Sequence, residues 1–130
     1  MGFWDAFSSG NRVVATSGNV ANAVAAASIT PTSLQRAYTT GFEVTGLGAT
    51  SAATILATLS NLIGSVTFTY IIQVPAGVTT AISALSVHFD QPIPAASVGT
   101  AITISVPAFG SGNTNVCVNL EGFVSSGDLF

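Results

Sequence analysis

From Gly41 onward, apolar and polar residues alternate in short runs separated by glycine, proline and small polar residues. Phe42 and Val44 alternate with Glu43 and Thr45 in a run that ends at Gly46-Leu47-Gly48. The longest run sets Val66, Phe68, Tyr70, Ile72 and Val74 against Thr67, Thr69, Ile71 and Gln73. Three more follow: Leu85, Val87 and Phe89; then Ile102, Ile104 and Val106; then Val116, Val118 and Leu120, each interleaved mainly with Ser, Thr, Asn or His. A period of two is that of a strand, and one apolar face beside one polar face predicts antiparallel strands with a single side on a core. Pro75-Ala76-Gly77 fits a tight turn, proline presetting φ and glycine free to take a positive one. Pro92-Ile93-Pro94 and residues 109–114 read as loops, too short for crossover helices.

Two stretches depart from this rhythm. Ile55, Leu56, Leu59, Leu62 and Ile63 fall at helical spacing and predict one amphipathic helix over about residues 50–63, ended by Gly64. The first forty residues form the other: Gly18 to Ser28 is alanine-rich, with Val20 and Val24 four apart, and predicts a short helix stopped by Thr30-Pro31. Before it, Phe3, Trp4 and Phe7 lie at i, i+1 and i+4, on one side of a short helix. Large aromatics near a terminus need a burial site. That site is either the chain's own core or a neighbouring subunit, which makes Phe3, Trp4 and Phe7 the candidate assembly interface. The predicted architecture is mainly β: an antiparallel β-sandwich or jelly-roll-like barrel over residues 41–130, with one short amphipathic helix and an N-terminal arm over residues 1–40.

Composition changes the picture by what it lacks. The 130 residues suit one domain. They are 48% hydrophobic and 5% charged, against roughly 25% charged in an ordinary soluble chain. Ser, Thr, Asn and Gly replace the usual ions, and such neutral surfaces cost less to desolvate than charges do. Permanent contacts suit them. With no lysine, two arginines (Arg12 and Arg36) and a net charge of −3, the chain has no electrostatic footprint for nucleic acid. The acidic, aromatic start argues against a secretory signal, and Ala6 stands where a myristoylation motif at Gly2 needs Ser or Thr. The uncharged stretch from Val44 to Phe89 is interrupted by Gly46, Gly48, Gly64, Pro75 and Gly77, so no apolar run approaches the roughly 20 residues of a spanning helix.

Candidate chemistry is sparse. Gly46-Leu47-Gly48-Ala49-Thr50-Ser51 between a predicted strand and a predicted helix has the context of a dinucleotide fingerprint, but Ser51 replaces its third small residue and no carboxylate follows at the required distance. His88 and Cys117 both sit on polar parities and would form a thiol–imidazole pair only if their strands were neighbours. Asp90 and Glu121 beside the loop 110–115 offer oxygen ligands for calcium without the spaced acidic loop such sites use. Trp4, Tyr38 and Tyr70 are the aromatic candidates for a carbohydrate platform. None of these outweighs a turn, an outward strand position or a hairpin loop, so the expectation is no catalytic residue, no metal and no cofactor.

An arm, one helix and neutral antiparallel strands closing near Glu121-Gly122-Phe123-Val124 resemble the small virion proteins with jelly-roll-type domains, among them capsid decoration proteins. The resemblance covers the architecture of residues 41–124. It implies a non-enzymatic capsid or decoration protein located in the virion, with copies of itself and other capsid proteins as partners. The alternatives are a surface adhesive or glycan-binding module and a subunit of an extracellular filament.

Overall fold

The structure, a computed structural model, describes residues 11–126. The chain forms eight strands, five of them at the alternating runs: β1 (Asn11–Thr16), β2 (Ala25–Ile29), β3 (Gln35–Gly46), β4 (Ala53–Leu62), β5 (Val66–Val74), β6 (Leu85–Pro94), β7 (Ile102–Val106) and β8 (Val116–Ser126). They form two antiparallel four-stranded sheets in the orders β1-β8-β3-β6 and β2-β7-β4-β5, stacked as a sandwich. The β4–β5 hairpin is the one direct connection within a sheet; every other link crosses from one sheet to the other. That hairpin turns through Ile63–Ser65, where Gly64 and Ser65 both take positive φ.

The core lies between the sheets and follows the predicted parity. Ile102, Ile104 and Val106 are fully buried, as are Val116, Val118 and Leu120, with Phe42 and Val44 beside them. Burying each such side chain contributes about 1.5–3 kcal/mol. Residues on the other parity of these strands (Thr103, Ser105, Cys117 and Asn119) keep partial exposure and face outward. On β3 an irregularity between Thr39 and Gly41 shifts the parity, so Ala37 pairs with Val124 on the core side while Tyr38 falls beside Phe123 on the outer side. The two rings stack at 4.8 Å and 10°.

Neither described segment expected to be helical forms a helix; each contributes a strand. Residues 53–62 form β4, pairing Ala53 with Val74 through Leu59 with Phe68. Ala53, Ile55, Ala57 and Leu59 point inward; then a bulge at Ser60 and Asn61, the latter at φ 67°, returns Leu62 to the core. A bulge adds one residue and inverts the later parity. Together with the outward Leu56, that inversion imitates a helical period. The alanine-rich stretch ends in β2, where Ala25, Ala27 and Ile29 are buried and Ala26 and Ser28 exposed. Alanine on both faces hid this alternation. Residues 11–40, read as an arm with short helices, therefore supply β1, β2 and the first half of β3 to the sandwich. Phe3, Trp4 and Phe7 lie outside the described residues.

Candidate functional site

The outer faces and edges of the sandwich are what the molecule offers to partners, and the two sheets differ in both. Every charged side chain among the described residues lies on the β1-β8-β3-β6 sheet: Arg12 on β1, Arg36 and Glu43 on β3, Asp90 on β6 and Glu121 on β8. His88 joins them on β6. Successive rows across this face read Thr16, Asn119, Glu43 and Ser86, then Val14, Glu121, Gly41 and His88. Asn119 Nδ2 donates to Glu43 Oε1 at 3.0 Å, and Arg12 reaches Glu121 at 4.0 Å. A shallow groove of about 310 Å³ runs here between Val14, Thr16, Glu43 and Glu121.

The β2-β7-β4-β5 sheet carries no ionisable group except Tyr70. That phenol sits on the inner parity, edge-on to Phe42 at 5.0 Å, and burial raises its pKa above 10.0. Outward, the sheet shows hydroxyls and amides bonded to one another: Thr54 Oγ1 donates to Gln73 Oε1 at 2.9 Å, and Ser28 and Thr103 hydroxyls meet at 2.8 Å. Within this neutral field Leu56 and Ile71 form an exposed cross-strand pair, 48% and 67% accessible.

The sequence candidates disperse. His88 and Cys117 are separated by β3, His88 in the Gly41 row and Cys117 in the Thr45 row, so they form no pair. His88 Nε2 instead lies 3.3 Å from Ser86 Oγ, and Cys117 Sγ lies 3.7 Å from both Thr16 Oγ1 and Asn119 Oδ1. Gly46–Ser51 does not open a helix: Ala49 bridges Ala76, and a Cβ on Gly48 would run into the Pro75 carbonyl. That contact, not a phosphate, accounts for the glycine.

The loop 110–115 spends its polar groups internally. Asn113, 4% exposed, donates through Nδ2 to the Leu47 carbonyl at 2.8 Å and accepts from the Asn22 amide at 3.1 Å, while Asn22 Oδ1 accepts from the Gly110 amide. Among the described residues no three His, Cys, Asp or Glu side chains cluster as metal ligands. Tyr38 is buried and Tyr70 faces the core, so neither offers an open sugar platform; Trp4 lies outside the described residues. Among the described residues no helix is long and apolar enough to cross a membrane.

Sequence reasoning missed the exposed Leu56–Ile71 pair and the confinement of charge to one sheet. Ile71 on an otherwise polar parity was the available signal for the first; the second needed the strand order. No protein-family model matches this chain, and no curated protein matches it in sequence.

Proposed function

We propose that the chain is a non-enzymatic structural protein of a virus particle, a capsid or decoration protein whose sandwich is a jelly roll that associates with copies of itself and packs on a capsid shell. The strand orders β1-β8-β3-β6 and β2-β7-β4-β5 support the fold part of this reading, because folding one long antiparallel ribbon over itself generates that interleaving. Eight-stranded jelly rolls recur in capsids as well as in lectins and cupins, so the fold alone does not choose. The observation that carries the functional part is the uncharged β2-β7-β4-β5 sheet, whose outer face carries neutral hydroxyls and amides, several of them bonded to one another, and one apolar pair. Such a face loses little on being covered permanently. Electron microscopy and quantitative mass spectrometry of particles from the native source test the proposal. A structural protein is present in many copies per particle; a trace amount, or a reproducible catalytic activity lost in Cys117→Ser, overturns it.

Phe3, Trp4 and Phe7 are proposed as the attachment element. Each ring contributes about 1.5–3 kcal/mol if buried on a neighbouring subunit. Deleting residues 2–10 is expected to leave the melting temperature nearly unchanged and to abolish co-sedimentation with the particle. A large drop in melting temperature with assembly intact would assign the rings to the chain's own core.

A further inference from the structure

The four sheet edges are not equally protected against pairing with another strand. Natural edges are blunted by charge, proline, irregularity or shortness. Edge β6 carries His88, Asp90, Pro92 and Pro94; edge β1 carries Arg12, 81% exposed; edge β2 is five residues long. Edge β5 has none of these devices. Its nine residues, Val-Thr-Phe-Thr-Tyr-Ile-Ile-Gln-Val, are β-branched, aromatic or amide, without charge or proline, and among the described residues no strand pairs with their outer side. Val66, Phe68 and Ile71 are 43%, 36% and 67% exposed along it.

We infer that β5 is a homotypic interface, pairing antiparallel with β5 of a second copy about a two-fold axis through Thr69, so that two sandwiches share one continuous eight-stranded sheet. The inference rests on the self-association in the proposed function and names the strand that carries it. A two-fold perpendicular to a sheet pairs residues of the same parity, since residues directly opposite in an antiparallel pair project to the same side. Ala81, Ile82 and Ser83 lie beside Gln73 and Val74, which leaves 66–72 as the open stretch and Thr69 as its centre. In that register Phe68 opposes the second copy's Tyr70 and Val66 its Ile72 on the inner side. Thr69 opposes itself and Thr67 opposes Ile71 on the outer side. The inner appositions are apolar with apolar, the outer ones join β-branched Thr and Ile side chains, and no charges meet; a copy of the same strand is thus a compatible partner.

Sedimentation of the full chain tests this with four variants in a Cys117→Ser background. Thr69→Lys places two ammonium groups directly opposite each other and is expected to give monomers that still melt cooperatively as folded protein, at a temperature no longer dependent on protein concentration. Thr58→Lys, on the adjacent non-edge strand β4, is expected to stay dimeric. Thr69→Cys is expected to form a disulfide-linked dimer on mild oxidation, and Thr67→Cys, which opposes Ile71, is not. A chain that associates regardless of Thr69→Lys and does not cross-link through position 69 overturns the β5 interface while leaving self-association standing. A wild-type chain monomeric at every concentration overturns both.

Discussion

On their inner sides the two sheets are interchangeable: Ile104 and Leu59 of one and Leu120 and Phe42 of the other belong to a single core cluster, each at or below 1% exposure. Outside they share almost nothing. One sheet displays Arg12, Glu43, Asp90 and Glu121 and ends in edges that carry charge or proline. The other displays hydroxyls with an apolar pair and ends in a long neutral edge. The core uses both sheets alike because burial rewards only apolar area, whereas solubility and partner choice depend on what remains outside. A face without charge stays soluble only while few apolar groups are exposed on it, or while something covers them.

The largest effects are expected where the sheets are equal. Ile104→Ala and Leu120→Ala should each cost about 2–5 kcal/mol in urea unfolding. A clear inequality between them would break the picture of a shared core. Gly122→Ala comes next, at about 1–3 kcal/mol, because the added Cβ would collide with the Tyr38 carbonyl oxygen and approach Ile29 Cδ1 to 2.6 Å. Only the backbone of β3 or the packing between sheets can yield to it. A loss below the resolution of the melt would show that β3 moves freely.

Phe68→Ala is expected to cost less than Ile104→Ala, about 1–2 kcal/mol, since Phe68 is 36% exposed and touches the core side only near the open edge, 6.3 Å from Phe89. Alternation alone assigns Phe68 and Ile104 the same burial; their position relative to the sheet edge separates them. Thr67→Ala, fully outward, should stay within about 0.5 kcal/mol.

The pH dependence of stability sharpens the comparison from the neutral sheet. Tyr70 has a folded-state pKa raised by burial above its ordinary 10.0. A raised value means that the folded state holds the proton more tightly than the unfolded chain, so this contribution is complete below pH 10 and is lost as pH climbs through the folded pKa. Melting temperature measured through the alkaline range should fall less steeply in Tyr70→Phe than in the native chain. Parallel curves would remove Tyr70 from the account. Smallest of all is Glu121→Gln on the charged face: its pairing with Arg12 is long and exposed, and the change in stability should stay within about 0.5 kcal/mol.

By itself the sequence determined the strands whose polar and apolar residues differ sharply. Alternation of Ile102, Ile104 and Val106 with Thr and Ser, or of Val116, Val118 and Leu120 with Cys and Asn, has a single burial solution, and those strands and their core faces were legible. It also determined that the surface would carry few charges, because composition cannot be altered by folding. Only the tertiary structure decided β2, where alanine faces both ways, and β4, where a bulge at Ser60 and Asn61 reversed the parity. Only it decided that β3 separates His88 from Cys117, that charge collects on one sheet, and that β5 is an edge. Alternation fixes which way a side chain points, a local matter of backbone pleat, while the neighbour of a strand is chosen by contacts among residues far apart in the chain.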